Sequence, residues 1–217
     1  MSSATKSMAP EHFKAMFSRL IILAPAFIVF VITLVFSIGI GLAAQRNPSM
    51  LWGLSIASTA VIGILTSVLG LGLTSFLVAD MREGKALSLS SSWGRVKPLF
   101  GPLLLIGIVL FITALTLLIP VFVVNSIIQG ILWTFITPSA VLICLKGETP
   151  VQALSNGFSR IIELADRDSL TFVLILVFYM FSWVTFGVLY ILAIPLTVLA
   201  IESLLRAEAE AKVPPQR

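Results

Sequence analysis

Four long stretches without a charged residue constrain the fold of this 217-residue chain more than any other feature. Residues 20–44, 51–79, 99–145 and 170–201 contain no Asp, Glu, Lys, Arg or His. A helix needs about 20 apolar residues to cross the hydrocarbon core of a bilayer. The chain is 58% apolar and 11% charged, whereas a soluble domain is about half apolar and roughly a quarter charged. We therefore predict an all-α integral membrane protein with one membrane domain over residues 1–217.

The number of spans depends on how the two longest stretches divide. The third stretch is 47 residues long and must form two spans, with the reversal near Pro120, Asn125, Ser126 and Gln129. The fourth is 32 residues long and as one helix would extend about 48 Å, which requires strong tilt. As two helices it would give two short spans with a turn at 182–187.

The distribution of basic residues favours two helices in the fourth stretch. Cytoplasmic loops of membrane proteins carry an excess of Lys and Arg. With six spans and both termini cytoplasmic, 13 of the 14 basic residues lie inside and Arg46 lies outside; with five spans the division is 10 to 4. We predict six spans in a plasma membrane, with five as the alternative. The predicted spans are 20–44, 51–79, 99–119, 122–145, 169–186 and 188–205.

Three cytoplasmic segments, 9–19, 86–96 and 150–163, share a pattern of apolar residues. In each, an apolar residue lies six places before an Arg, an aromatic residue two places before it and an apolar residue one place after it, offsets that fall on one face of a helix. The pairs are Phe17 and Arg19, Trp93 and Arg95, and Phe158 and Arg160. We interpret the segments as amphipathic helices in which the aromatic residue enters the lipid and the Arg reaches the headgroups. The pattern either marks three repeated units of interfacial helix plus hairpin or reflects the ordinary composition of an inner interface.

The sequence offers little catalytic chemistry. One histidine, His12, and one cysteine, Cys144, exclude an internal disulfide and a zinc site with three or four such ligands. Ionisable residues within spans mark ion paths and proton relays, and the four stretches have none. We predict no catalytic residue, no metal ligand and no cofactor. Four acidic residues of the fourth loop either hold a divalent ion or, as we favour, pair with Arg160 and Arg167; they are Glu148, Glu163, Asp166 and Asp168.

Uncharged polar and small residues give weaker signals. A stripe at spacings of three and four residues in the second span permits close helix contact, either within the bundle, as we favour, or between two copies. It consists of Gly63, Ser67, Gly70 and Thr74. Asn125 and Gln129 either line a shallow external cavity or cap helix ends.

The fourth span and the loop after it resemble a known group of proteins. The residues are Thr137-Pro138-Ser139-Ala140-Val141, Lys146-Gly147-Glu148 and Ala153-Leu154-Ser155. Over residues 51–205 the chain is similar to prokaryotic multi-span proteins that resemble the membrane domain attached to some glycerophosphodiester phosphodiesterases. The resemblance implies about six spans, a proline in the fourth and an amphipathic helix after it. It does not imply phosphodiesterase activity, which belongs to a separate soluble domain that is not found in this sequence.

These observations favour a non-enzymatic membrane protein with a scaffold, accessory or lipid-organising role. The expected partners are membrane lipids, and also other membrane proteins or a second copy of the chain, with no nucleic acid. The alternative is a transporter of small solutes or lipids with a cavity between proline-bent helices. An enzyme acting on lipid ranks third.

Overall fold

The computed structural model describes residues 7–46, 51–113, 122–182, 185 and 188–211. Within these residues the regular structure is entirely helical. The α-helices, in chain order, are α1 Ala9–Ser18, α2 Ala24–Arg46, α3 Leu51–Leu65, α4 Thr74–Arg82, α5 Leu89–Val96, α6 Phe100–Ile112, α7 Phe122–Lys146, α8 Pro150–Arg167, α9 Ser169–Ser182 and α10 Tyr190–Ala211. The prediction of an all-α membrane protein is confirmed.

Five helical segments among the described residues are long and apolar enough to cross a bilayer. They are Leu20–Ala43, Ala60–Arg82, Leu89–Ile112, Val124–Lys146 and Tyr190–Ala211. A sixth, α9, is apolar but has 14 residues, and at 1.5 Å per residue it extends about 21 Å of a core that is about 30 Å thick. Among the described residues, five segments therefore reach the length of a span and one is shorter.

The fourth charge-free stretch folds back on itself. The hydroxyl oxygens of Tyr179 in α9 and Thr197 in α10 lie 3.4 Å apart, whereas 18 residues along one straight helix would separate them by about 27 Å. Trp133 of α7 stacks on Tyr190 with ring centroids 5.2 Å apart. The chain thus reverses between Ser182 and Tyr190, and most of the predicted turn at 182–187 lies outside the described residues.

The second span is one continuous helix whose central turns are π-helical and therefore wider than α-helical turns. Between α3 and α4, residues Thr66–Leu73 form a π-helical segment, a conformation that is rare and occurs mostly as short insertions. A β-carbon on Gly70 would lie 3.0 Å from Ile194 Cδ1 of α10. One on Gly72 would lie 3.2 Å from Leu103 Cδ1 of α6. The glycines therefore let neighbouring helices pack closely against the widened segment.

Two loops begin with a glycine in the same backbone conformation. Gly84 follows α4 with φ of 70°, and Gly147 follows α7 with φ of 68°. This left-handed conformation is ordinary for glycine and ends many helices. After α4, the Lys85 amide donates to the Asp80 carbonyl at 2.9 Å, as in a Schellman motif. Both loops then lead within a few residues to a short helix.

The element order repeats three times as a short helix followed by two apolar segments. The short helices are α1, α5 and α8, and their bounds differ from the predicted 9–19, 86–96 and 150–163 by a few residues. The third copy continues four residues beyond its predicted end, to Arg167. The third copy begins at the predicted residue, Pro150. Its start is capped by Gln152, whose Oε1 atom accepts a hydrogen bond from the Thr149 hydroxyl at 3.0 Å.

Some predicted boundaries shift in the structure. Asn125, Ser126 and Gln129 lie within α7, so the helix has already begun where the sequence suggested the reversal. Pro120 lies outside the described residues. The last helix extends from the predicted end at 205 to Ala211, where Glu208 pairs with Lys146 of α7 and Arg160 of α8.

Candidate functional site

Most of the charged side chains lie at one end of the bundle. They belong to helices α1, α5 and α8 and to the ends of α4, α7 and α10. We call this end the charged face. The aromatic residue of each predicted pair is exposed there: Phe17 by 56%, Trp93 by 42% and Phe158 by 52%. The Phe158 ring also stacks on Phe135 of α7 with centroids 4.7 Å apart. All three aromatic rings are therefore accessible at the surface of the charged face.

Arg95 is bound to its own chain. One guanidinium nitrogen lies 2.5 Å from Oδ2 of Asp80 in α4 and donates to the Phe76 carbonyl at 3.1 Å. The guanidinium carbon lies 4.5 Å from the centroid of the Phe76 ring, a cation–π geometry. The Asp80 side chain is only 7% exposed, so Arg95 compensates a nearly buried carboxylate.

Arg160 also has partners on the protein. It donates to Glu163 of its own helix at 2.7 Å and to Glu208 of α10. Lys146 reaches the same Glu208 at 3.4 Å, and Arg167 reaches Glu163 at 2.9 Å. Burial opposes the charged form of Arg160, but the two carboxylates outweigh it and raise its pKa.

A third ionic group has Glu202 at its centre. Its carboxylate is nearly buried and contacts Arg82 of α4 at 3.3 Å and Arg206 one turn further along α10. Sequence reasoning did not single out this group. Glu202 and Arg206 have the four-residue spacing of helical ion pairs, and this spacing was the only sign of the group in the sequence. The contact with Arg82 depends instead on how α4 and α10 pack.

Three cations of the charged face differ from these. Lys14 and Arg19 are exposed at the start of the first span, and Lys97 is exposed at the start of the third. The exposed apolar residues around them include Leu20 at 67% and Phe100 at 46%. Among the three predicted arginines, Arg19 therefore lies at the exposed edge, and Arg95 and Arg160 lie inside ionic networks.

The acidic residues of the fourth loop are spread over several contacts. Glu148 accepts a hydrogen bond from Asn156 at 3.0 Å, Glu163 pairs with Arg160 and Arg167, and Asp166 is exposed. In the part of the chain that the structure describes, no group of three or more His, Cys, Asp or Glu side chains is placed to hold a metal ion.

Asp168 attaches the amino-terminal helix to the bundle. Its carboxylate accepts hydrogen bonds from the Ser7 hydroxyl at 2.8 Å and the Met8 amide at 2.9 Å. It also accepts from the Thr171 hydroxyl at 2.5 Å and the Thr171 amide at 3.3 Å. Burial favours the protonated form, but these bonds outweigh it and lower the pKa of Asp168. One carboxylate thus caps α1 and α9 together.

The small-residue stripe lies inside the bundle. Gly63 faces α6, where an added β-carbon would lie 3.0 Å from the Gly107 carbonyl oxygen. Ser67 donates to the Leu103 carbonyl. Gly70 faces α2 and α10, and Thr74 is fully buried. The stripe therefore forms contacts within one chain.

The candidate cavity residues are also buried. Gln129 is 0% exposed and Asn125 is 8% exposed. The Gln129 amide nitrogen donates to the Thr113 carbonyl at 2.7 Å, and the Trp133 indole donates to the Thr113 hydroxyl at 3.1 Å. Gln129 thus joins α7 to the end of α6.

The fold and the charged face together define an all-α, multi-pass membrane protein. Comparison with family models, curated proteins and solved structures finds no match to this chain. The resemblance to the membrane domain of glycerophosphodiester phosphodiesterases remains a prediction from its motifs.

Proposed function

We propose that this chain is a non-enzymatic scaffold or accessory protein of a prokaryotic plasma membrane that gathers anionic lipids around its charged face. The observation that carries the proposal is the exposure of Lys14, Arg19 and Lys97 beside exposed apolar and aromatic residues. A cation near an anionic membrane surface contributes about 1 kcal/mol of attraction, and the neighbouring apolar side chains add burial in the interface.

The ionic networks sharpen which residues carry this role. A cation that is paired with a carboxylate of its own chain presents little net charge to a lipid. Arg95 and Arg160 are paired in this way, so we assign them to holding the short helices in place. Lipid contact is assigned to the exposed cations at the starts of the first and third spans.

The proposed orientation places the charged face in the cytoplasm. Thirteen of the 14 basic residues would then lie inside, in agreement with the positive-inside rule. Support comes from the ends of the described chain, since Ser7 and Met8 bind Asp168 while Glu208 near the end of α10 binds Lys146. Both contacts lie at the same end of the bundle.

The lipid proposal is tested by measuring which lipids stay with the purified protein. We would solubilise protein from membranes of known phosphatidylglycerol content at 0.15 M salt and determine bound lipids by native mass spectrometry. The variant Lys14→Gln/Arg19→Gln/Lys97→Gln should lose the phosphatidylglycerol enrichment of the wild type. The control Lys85→Gln/Lys146→Gln/Arg167→Gln removes the same charge from the same face, but from cations that face carboxylates of their own chain, and should retain it.

Two outcomes would contradict the proposal. One is an unchanged phosphatidylglycerol enrichment in the first triple variant. The other is an equal loss in both triple variants, which would show that total charge, not the exposed positions, attracts the lipid. The same spectra report whether a second copy or another membrane protein remains bound, as the sequence led us to expect.

The alternative of a transporter gains no specific support from Asn125 and Gln129, the residues that suggested a cavity in the sequence. Gln129 is bonded to Thr113 and fully buried. A groove of about 240 Å³ lies elsewhere, on α2, and its lining is apolar. It is formed by Val35, Phe36, Gly39, Ile40 and Ala43.

A further inference from the structure

The amino-terminal helix carries a histidine in an unusual position. His12 is 2% exposed, and among the described residues neither ring nitrogen has a hydrogen-bond partner. The helix is held at its start by the Asp168 carboxylate and packs against α10, and its Phe13 meets Phe178 of α9 edge to face with centroids 6.4 Å apart. His12 therefore lies in the contact between α1 and the bundle.

A neutral imidazole fits this position better than a charged one. Protonation would place a charge and two donors in a buried site, and a buried charge without a hydrogen-bonded partner is unstable. Across the contact, Asp168 attracts an imidazolium at His12, but its oxygens already accept four hydrogen bonds, from Ser7, Met8 and Thr171.

The other charges near His12 do not provide a replacement partner. Arg82, at the end of α4, repels an imidazolium. Glu202 of α10 is engaged with Arg82 and Arg206. Glu11, on α1 itself, attracts the charge but is exposed to solvent, where its attraction is screened.

We propose that His12 is a pH switch, which keeps α1 docked on the bundle at neutral pH and releases it on acidification. The proposal goes beyond lipid gathering and depends only on the contact between α1 and the rest of the chain. Release would expose the buried face of α1, including Met16, and would move Lys14 away from the bundle.

The direction of the pH effect follows from proton linkage. Burial lowers the pKa of His12 below its ordinary value of 6.5, while Asp168 partly opposes this change and Arg82 adds to it. The released helix therefore binds a proton more readily than the docked one. Docking is at full strength above pH 6.5 and weakens as the pH falls below it, by up to about tenfold in the docking constant per pH unit.

A distance measurement tests the switch. Spin labels on Lys14→Cys and Leu170→Cys, both exposed positions, would be introduced in a Cys144→Ser background of the full chain in lipid nanodiscs. Double electron–electron resonance at pH 8 should give one narrow distance. At pH 5 a broader population at longer distance should appear, with a midpoint below pH 6.5.

Two variants assign the response to His12. His12→Leu removes the titrating group and should show the narrow distance at both pH values; if that variant does not fold, His12→Gln, which is neutral at every pH, takes its place. Glu11→Gln, on the exposed side of the same helix, should respond like the wild type. The proposal is overturned if the wild-type distance is the same at pH 8 and pH 5, or if the His12 variant still changes with pH.

Discussion

The ion pair between Arg95 and Asp80 gives the sharpest test of how the short helices are held. Sequence reasoning assigned Arg95 to lipid headgroups, whereas the structure places its guanidinium against a nearly buried carboxylate and the Phe76 ring. Because Arg95 pairs with Asp80 within the chain, Arg95→Gln should destabilise the protein even where no anionic lipid is present.

The expected magnitude follows from the burial of the two partners. Breaking a fully buried pair costs about 3–5 kcal/mol, and an exposed pair contributes about 0–1 kcal/mol. The Asp80 side chain is 7% exposed and that of Arg95 is 38% exposed, so the pair lies between these limits. We expect Arg95→Gln and Asp80→Asn each to lower the free energy of unfolding by about 2–3 kcal/mol.

A double-mutant cycle measures the pair directly. Unfolding by urea would be followed by circular dichroism in micelles of a neutral detergent. The double variant Asp80→Asn/Arg95→Gln should cost less than the sum of the single variants, with a coupling of about 1–3 kcal/mol. Lys85→Gln is the matched control, because the Lys85–Glu83 pair is 62% and 52% exposed and should contribute less than about 1 kcal/mol.

Additive single effects would refute this reasoning. So would an Arg95→Gln variant as stable as Lys85→Gln in neutral detergent but destabilised relative to wild type in anionic lipid, since lipid contact would then account for the residue.

Three further substitutions probe the bundle and its amino-terminal helix. Gly130→Ala would place a β-carbon 2.8 Å from the Met180 Cα atom and should cost at least about 2 kcal/mol in the same unfolding assay, whereas Gly101→Ala, with nothing within 4 Å, should not destabilise. Gln129→Leu removes a buried donor to the Thr113 carbonyl and should cost about 1–2 kcal/mol; an unchanged stability would contradict the bond. Asp168→Asn weakens the shared cap, so trypsin should cleave after Lys14 faster than in the wild type at pH 7.5, and equal rates would argue against the docking.

The membrane helices could be predicted from the sequence because charged residues are rare in the segments that cross lipid. The division of the fourth stretch into α9 and α10 followed from the count of basic residues, whereas its length and hydropathy left one strongly tilted helix or two short ones open. The predicted segment 150–163 also began at the residue where α8 begins, and the cap that Thr149 and Gln152 form there depends only on neighbours three residues apart.

The partners of the arginines were not readable in the same way. Arg95 meets Asp80 fifteen residues earlier, and Arg160 meets Glu208 forty-eight residues later. Such pairs depend on which helices pack together and at what depth, which residue spacing along one helix does not encode. The π-helical segment was not predicted for a related reason. Its wider turns lie where α6 packs against Gly72 and α10 packs against Gly70, and this packing involves residues far apart in the sequence.

The hairpin of α9 and α10, with all ionic networks on one membrane face, is the central claim, and cysteine accessibility tests it most directly. In a Cys144→Ser background, Val188→Cys and Ala211→Cys would be treated with a membrane-impermeant maleimide in spheroplasts. We expect labelling at Val188→Cys in intact spheroplasts and labelling at Ala211→Cys only after permeabilisation. Labelling of Ala211→Cys from outside, with Val188→Cys protected even after permeabilisation, would contradict the hairpin and the single charged face.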